Sequence, residues 1–211
     1  MRYSRVYIGI AALIAAFLSG CAQKGPVLLD NIRYQAPEGL AAGSTKLIVG
    51  VSPFKDDRGK TLSVLGKRTI PDSVENDLVV QGTVADLVTA GLKDALKARG
   101  IMVKEAPPWD MNAESIRSSG IDILIGGEIK TLWVEDVSQT LNNKVKAEVK
   151  LRVSAADVAE KKIIRTLVLN STLERQDVAF SFESVKDAVS EALSSALDQL
   201  FNDEEFKKKI K

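Results

Sequence analysis

The sequence feature that most constrains the fold is a strict alternation of apolar and charged residues over Lys144–Val153. The apolar members are Val145, Ala147, Val149, Leu151 and Val153, and they alternate with Lys144, Lys146, Glu148, Lys150 and Arg152. Successive side chains of a strand point to opposite faces of a sheet. The alternation therefore predicts a β-strand in an antiparallel sheet that is covered on one face and open to water on the other.

Two segments instead carry apolar residues at helical spacing, which predicts amphipathic helices. The first is Thr83–Arg99, where Thr83 is the predicted N-cap and Gly100 the left-handed cap at the C-terminus. The second is Ser184–Phe201, where we expect Ser184 to be the capping residue. Both helices have one apolar face, which must pack against another element.

Weaker patterns predict the other elements. Strands are expected at Lys46–Ser52, Ile101–Glu105, Ile121–Asp136 and Lys162–Arg175, with a hairpin near Leu62–Ile70 and a short helix at Met111–Ser119. Strands in succession followed by a helix indicate the α+β class. We therefore predict a mixed, mostly antiparallel curved sheet with two long amphipathic helices packed on one face.

The long strand predicted at Ile121–Asp136 contains two features that bear on its shape. Trp133 has the same parity as the isoleucines of this segment, which predicts that Trp133 lies in the core. The pair Gly126-Gly127 within the strand predicts a bulge or a sharp curvature there.

Composition excludes several classes of function. The formal net charge of +1 over 211 residues gives no electrostatic reason to expect nucleic acid as a partner. The chain has no histidine, which excludes chemistry that depends on an imidazole. Its single cysteine excludes an intramolecular disulfide or a thiolate metal cluster. We therefore expect no cofactor and no metal ion.

The N-terminus has the layout of an export signal. Arg2 and Arg5 precede an uncharged apolar stretch, Val6–Leu18. This stretch is shorter than the roughly 20 residues that a membrane-spanning helix needs, but it has the length of a signal-peptide core. We predict that residues 1–20 are a signal peptide.

The signal ends in Leu18-Ser19-Gly20-Cys21, which resembles the lipobox of bacterial lipoproteins. The resemblance implies cleavage before Cys21, diacylation of its thiol and acylation of the freed amine. Several acyl chains anchor a protein stably, whereas one chain does not. The alternatives are a transmembrane anchor followed by a chance cysteine, and an ordinary secretory signal with an incidental thiol.

The position after the lipidated cysteine bears on localisation. Asp there is the usual signal for retention in the inner membrane of many Gram-negative bacteria, and this chain has Ala22. For a Gram-negative source we therefore expect the outer membrane, with the protein facing the periplasm. Residues 21–45, with prolines and glycines and no sustained periodicity, are expected to form the lipidated N-terminus and a tether. Residues 46–211 are expected to form a single periplasmic α+β domain.

Beyond the lipobox, the chain resembles the YajG family of bacterial lipoproteins. The resemblance covers most of the chain and is carried by Gly91–Val103, Asp122–Gln139 and Ser184–Leu200. More distantly, the arrangement is similar to envelope proteins related to the N-terminal domain of TolB, including curli-secretion lipoproteins and lipoprotein activators of penicillin-binding proteins. The YajG-like group has no assigned reaction, and the relatives act mainly as binding or assembly modules. The resemblance therefore implies no mechanism.

Three residues are candidates for binding a partner. Asp56 and Arg58 lie in the polar loop after the first strand, where they could recognise a charged group, or could instead form a local ion pair that organises the loop. Trp109 follows two prolines and is expected to be exposed enough to anchor a partner. The basic run Lys207–Lys209 could contact phosphates or anionic glycans, although a fraying, solvated helix end is the commoner explanation.

The acidic residues allow a second class of function. Any two of Glu128, Glu135, Asp136 and Glu148 could be imagined as the carboxylate pair of a glycan hydrolase. Positions on the wet face of a sheet account for all four, and we predict no catalytic residue.

The leading hypothesis is therefore a non-enzymatic binding or assembly module of the cell envelope. Its expected partners are the membrane, through Cys21, and an envelope protein or peptidoglycan. The alternatives are a carboxylate-dependent envelope glycan hydrolase and a subunit of a homo-oligomeric envelope assembly.

Overall fold

The computed structural model describes residues 25–43, 45–70, 74–117, 120–139 and 142–210. The predicted signal peptide, residues 1–20, and the predicted lipidation site Cys21 lie outside the described residues. Within these ranges the strands are β1 (Val27–Leu28), β2 (Ile48–Val51), β3 (Lys55–Asp56), β4 (Val64–Ile70), β5 (Val74–Val79), β6 (Met102–Glu105), β7 (Ile123–Ser138), β8 (Asn143–Asp157) and β9 (Lys162–Asp177). The α-helices are α1 (Val84–Ala98), α2 (Phe182–Asn202) and α3 (Glu204–Ile210).

The described strands form one mixed sheet centred on β7. Along one side of β7, its first half pairs in parallel with β2 and β3, and its second half pairs in parallel with β4. Along its other side, β7 pairs with β8 over its whole length, and β8 pairs with β9, both in antiparallel register. The longest ladders are thus antiparallel, and the predicted α+β class is confirmed.

The two long helices lie on one face of this sheet, as predicted, and contact each other. Gly91 of α1 lets the two helices approach each other closely. A Cβ atom at this position would lie 3.3 Å from a methyl carbon of Leu193 in α2. The inward face of β8 meets them with the alternating apolar residues recognised in the sequence, and these are buried. The core therefore lies between the sheet and α1 and α2.

The predicted cap is right for one helix and wrong for the other. The Thr83 hydroxyl oxygen accepts the N–H of Asp86 at 3.0 Å, and the Asp86 carboxylate accepts the N–H of Thr83 at 3.3 Å. Helix α2 begins one turn earlier than expected, with Ser181 as its N-cap. The Ser184 hydroxyl instead donates to the carboxylate of Asp177, at the end of β9.

The shape of β7 differs from the expectation. The ladder with β8 is regular at Gly126-Gly127, and its register shifts between Ile129 and Thr131. The prediction of a bulge at the two glycines is therefore wrong. The shift reverses the parity of the second half of β7, so Leu132 is buried and Trp133 is only half-buried. The prediction that Trp133 lies in the core is also wrong.

Two short helical predictions change as well. Over residues 111–117, the described part of the helix expected at Met111–Ser119, the structure has one 3₁₀ turn, Ala113–Ser115. The basic run at the C-terminus belongs to α3, which is fixed to the body because Phe206 is fully buried and lies edge-on to Phe201, with ring centroids 5.9 Å apart. It is therefore part of the folded domain and is not a frayed end.

The segment expected to be a tether is packed against the domain where the structure describes it. Leu29, Ile32 and Tyr34 are buried in the main core. The N–H of Leu29 donates to the carbonyl of Val79 at 2.7 Å, and the N–H of Gln35 donates to a serine hydroxyl of α2 at 2.8 Å. The folded body therefore includes residues well before the boundary expected at residue 46.

Candidate functional site

A cleft of about 750 Å³ lies at the end of the molecule where the described chain begins. Three parts of the fold form its walls: the segment that enters β1, the β4–β5 hairpin and the first turn of α2. We call it the N-terminal cleft. Its lining comprises Gly25, Pro26, Val27, Leu28, Asp30, Arg68, Ile70, Asn76, Phe182, Glu183 and Lys186.

Arg68 is positioned in this cleft by the pairing of β4 with β7. The parallel register places Arg68 beside Asp136, and Nε of Arg68 lies 3.1 Å from a carboxylate oxygen of Asp136. Asp136 is fully buried. Asn143 donates to its other oxygen, and the Ser138 hydroxyl in turn donates to Asn143 at 2.8 Å. A buried polar network therefore supports the arginine from below.

An aromatic ring fixes the same guanidinium from another side. The central carbon of the Arg68 guanidinium lies 3.4 Å from the ring centroid of Phe180, a cation–π contact. Phe180 in turn meets Phe182 edge-on, with ring centroids 4.6 Å apart. The side chain of Arg68 keeps 20% of its surface exposed and lines the cleft.

The network also acts on the protonation of its buried acid. Burial raises the pKa of the Asp136 carboxyl, while the hydrogen bond from Asn143 and the charge of Arg68 oppose that rise. The buried carboxyl and the guanidinium of Arg68 therefore form one coupled ion pair at the base of the cleft.

The mouth of the cleft carries charges of both signs. The Lys186 ammonium lies 2.6 Å from Glu183 and 3.3 Å from Asp30, and the hydrogen bond to Glu183 is the main reason that the pKa of Lys186 is raised. Both carboxylates are exposed. This arrangement suits ionic recognition of a group that carries both a negative and a positive charge.

Apolar side chains surround this charged floor. Six large hydrophobic residues are exposed among those that the structure describes, and three of them belong to this end of the molecule. They are Leu28 at 56% exposure, Phe182 at 47% and Val178 at 89%, the last in the loop between β9 and α2. Leu28, Val178 and Phe182 are called the apolar rim below.

A second cleft of about 580 Å³ lies between the segment around Leu40 and α3. Its arginine, Arg99, is already engaged. The guanidinium of Arg99 donates to Asp198 and to the hydroxyl of Tyr34, each at 2.8 Å, and lies over the ring of Phe201. Arg68 has an ion pair and a ring contact too, but its side chain is 20% exposed against 13% for Arg99, and its cleft is the larger of the two, so the N-terminal cleft is the better candidate.

Asp56 and Arg58, predicted as candidates for binding, form a buried local ion pair. Two guanidinium nitrogens of Arg58 donate to the two carboxylate oxygens of Asp56, each at 2.8 Å. Another nitrogen donates to the carbonyls of Val64 and Leu132. Only 3% of the Arg58 side chain and 5% of the Asp56 side chain are exposed. The pair joins the loop to β4 and β7.

Trp109 is packed more closely than the sequence suggested. Its backbone N–H donates to the hydroxyl of Ser52 at 2.9 Å, and its indole N–H donates to the carbonyl of Asn112 at 3.0 Å. The ring packs beside Gly126, where a Cβ atom would lie 3.0 Å from an indole carbon. The glycine therefore makes room for the indole, and Trp109 covers a small secondary core.

Of the four acids considered for a hydrolase, Asp136 is buried and does not lie on the wet face as predicted, Glu148 is exposed on β8, and Glu128 and Glu135 make other contacts. Glu128 lies 2.9 Å from Lys130 and 3.6 Å from Arg152, and the hydrogen bond from Lys130 is the main cause that lowers its pKa. Glu135 accepts the indole N–H of Trp133 at 3.3 Å. A general acid needs a raised pKa, which Glu128 lacks. Within the described residues, no group of three or more acidic or cysteine side chains is placed to hold a metal ion.

Sequence reasoning missed Arg68 and Lys186. Its one usable signal was Asp136, an acid at a position that becomes inward-facing only after the register shift in β7. Cys21, the predicted lipidation site, lies outside the described residues. No helix among the described residues combines the length and the apolarity that crossing a bilayer requires.

No family model matches the chain, and no curated protein matches it in sequence. Among solved structures, the protein XCC0632 from Xanthomonas campestris, of the family DUF330, matches with a TM-score of 0.51 at 12% identity, over 83% of this chain and 90% of that one. A minor lipoprotein from Acinetobacter baumannii matches with a TM-score of 0.39 at 11% identity, over 75% and 94% of the two chains. The PelC dodecamer from Paraburkholderia phytofirmans matches with a TM-score of 0.40 at 14% identity, over 74% and 92%. The first similarity concerns the fold alone, and the two weaker ones add no functional information.

Proposed function

We propose that this protein is a lipid-anchored lipoprotein of the bacterial cell envelope that acts as a non-enzymatic binding or assembly module. The observation that carries the proposal is the lipobox Leu18–Cys21, which contains the chain's single cysteine. For a Gram-negative source, Ala22 favours the outer membrane, with the domain facing the periplasm. The resemblance to the YajG family is part of this proposal and agrees with it.

The position of the folded body supports an anchoring role. Gly25 lies four positions after Cys21, and its backbone N–H donates to Asn76 of β5 at 3.3 Å. Four residues can span at most about 14 Å. An anchor at Cys21 therefore holds one particular end of the domain close to the bilayer. A long flexible linker would instead let the domain move away from it.

The charged groups support a binding role over a catalytic one. Glu128, Arg58 and Arg99 are engaged in ion pairs within the fold. Arg68 is also paired, with the buried Asp136, but 20% of its side chain stays exposed and lines an open cleft. Fixed charges in a cleft recognise charged groups, whereas catalysis would also require a nucleophile or a general acid placed beside them.

The anchoring part is tested by mass spectrometry of the mature protein from a bacterial host. We expect the N-terminal peptide to begin at Cys21 and to carry acyl chains. The variant Cys21→Ser should lose the acylation and leave the membrane fraction. Mature protein that keeps the signal segment, or that begins elsewhere, would contradict the proposal.

Sorting is tested separately with Ala22→Asp in a Gram-negative host. This change should move the acylated protein from the outer to the inner membrane in a density gradient, because it introduces the usual retention signal. Ala22→Ser serves as the matched control and should leave the distribution unchanged. An unchanged distribution of Ala22→Asp would remove the basis for the outer-membrane assignment.

The binding part is tested by crosslinking in intact cells, followed by solubilisation and purification of the anchored chain. We expect one envelope component, either a protein or peptidoglycan, at near-stoichiometric yield. Turnover of peptidoglycan fragments that is abolished by Glu128→Gln would contradict the non-enzymatic assignment. Light scattering of the purified full chain in detergent distinguishes a monomeric module from a homo-oligomeric one.

A further inference from the structure

We propose that the N-terminal cleft and its apolar rim form a bilayer-docking surface. Leu28, Val178 and Phe182 enter the lipid interface, and the guanidinium of Arg68 faces the level of the lipid phosphates. The inference rests on the proposed acylation of Cys21 and goes beyond it, because an anchor alone does not require the domain to lie on the membrane.

The reach of the chain brings this surface to the bilayer. An acylated Cys21 lies at the membrane interface, and Gly25 is within about 14 Å of it. Gly25 and Leu28 both line the cleft. Any orientation of the domain that the anchor allows therefore keeps the cleft near the lipid headgroups.

The apolar rim has the composition of an interfacial contact. Val178 and Leu28 expose more than half of their surface, and Phe182 nearly half, at the end of the domain beside the anchor. Exposed large hydrophobic residues gathered in one region mark an interaction surface. Apolar side chains of this kind lie within the headgroup and acyl boundary when a protein rests on a membrane.

The charges beneath the rim match a zwitterionic phospholipid. Its phosphate suits the guanidinium of Arg68, which Asp136 and Phe180 hold in place. Its ammonium suits the exposed carboxylates of Asp30 and Glu183. We therefore commit to a bilayer rich in phosphatidylethanolamine as the occupant, because Lys186 pairs with both carboxylates and the mouth of the cleft has no excess positive charge that would favour a strongly anionic surface.

Acylation also makes the test specific. In the mature protein the Cys21 thiol is blocked, so Val178→Cys introduces a single free thiol for a spin label. The full, acylated chain is inserted through its own anchor into vesicles of phosphatidylethanolamine with a minor fraction of phosphatidylglycerol. The label's collision rates with oxygen and with a water-soluble nickel complex then report its depth.

The matched control is Val168→Cys, an equally conservative change at a residue that is 53% exposed on β9, the strand that precedes the loop of Val178. At about 3.3 Å per residue, the control lies roughly 30 Å from the loop that carries Val178. We expect the label at 178 to lie about 5–10 Å below the headgroup surface and the label at 168 to remain in water. The double change Leu28→Ser and Phe182→Ser should return the label at 178 to water while Cys21 stays acylated.

Three outcomes would overturn the inference in distinguishable ways. A label at 178 that stays in water on an acylated protein contradicts docking and leaves the anchor intact. Protection that grows with protein density in the vesicles shows that a second copy covers the surface. A mass spectrum without acylation at Cys21 contradicts the proposed function, and the docking inference falls with it.

Discussion

At the scale of single residues, the ion pair of Asp56 and Arg58 fixes a local part of the fold. Two residues apart in sequence, they form a bidentate ion pair that water hardly reaches, and Arg58 also bonds two carbonyls from other parts of the chain. A buried ion pair adds little stability compared with apolar packing, but the loss of one partner leaves an uncompensated buried charge. The pair therefore fixes the loop after β3.

Replacing Asp56 by Asn should lower the free energy of unfolding by about 3–5 kcal/mol, because it leaves the Arg58 guanidinium without its counterion. Chemical denaturation of the full chain in mild detergent at neutral pH measures this. Asp57→Asn is the matched control: Asp57 is an exposed neighbour whose partner is Lys130, and its loss should change stability little. Equal losses of stability in the two variants would show that burial of the Asp56–Arg58 pair does not increase the cost of losing its acid.

The same pair should make stability depend on pH. The hydrogen bonds from Arg58 hold the pKa of the Asp56 carboxyl below its ordinary value of 3.8. A carboxyl with a lowered pKa in the folded state stabilises the fold above its unfolded pKa, and this contribution is lost as the pH falls through the folded pKa. The stability difference between the native chain and Asp56→Asn should therefore be full at neutral pH and shrink below pH 3.8. A difference that stays constant into acid would contradict the assignment.

At the scale of elements, helix α1 and strand β8 were predictable because each follows one period without interruption. Strand β7 was not predictable in the same way. Its odd-numbered residues face the core before Lys130, and its even-numbered residues face the core after it. Nothing local at Lys130 marks a bulge. The shift follows from pairing, since the first half of β7 meets β2 and β3 and the second half meets β4. The pairing of Arg68 with Asp136 depends on that register, so this site could not be predicted from the sequence either.

The capping box of α1 gives a prediction at this scale. Thr83→Ala should lower the free energy of unfolding by about 1 kcal/mol, because the N–H of Asp86 loses its acceptor at the start of the helix. Thr83→Ser keeps the hydroxyl and should change stability much less. Thermal or chemical denaturation of the three chains provides the comparison, and equal losses in both variants would mean that the hydroxyl does not cap the helix.

For the whole molecule, the extent of the folded body bears on how the proposed anchor would act. Prolines and glycines without periodicity made residues 21–45 resemble a tether. Tertiary contacts override that composition: Tyr34 accepts from Arg99, at the end of α1, and donates to Asp198, in α2. Such hydrogen bonds join residues that are far apart in sequence, so no local sequence pattern predicts them. With Cys21 acylated as proposed, the short link to it would fix which end of the domain faces the membrane.

Leu28 and Leu29 allow a direct test of this packing, because they are adjacent leucines with opposite exposure. Leu29 is 2% exposed within the main core, whereas Leu28 is 56% exposed. Leu29→Ala should lower the free energy of unfolding of the whole domain by about 2–5 kcal/mol, the usual cost of a truncated core leucine. Leu28→Ala should leave it nearly unchanged. Denaturation of the full chain, followed by the fluorescence of Trp109 and Trp133 in the body of the domain, measures both. If Leu29→Ala left that transition unchanged, the segment would be a tether after all, and the anchor would no longer dictate which end of the domain faces the bilayer.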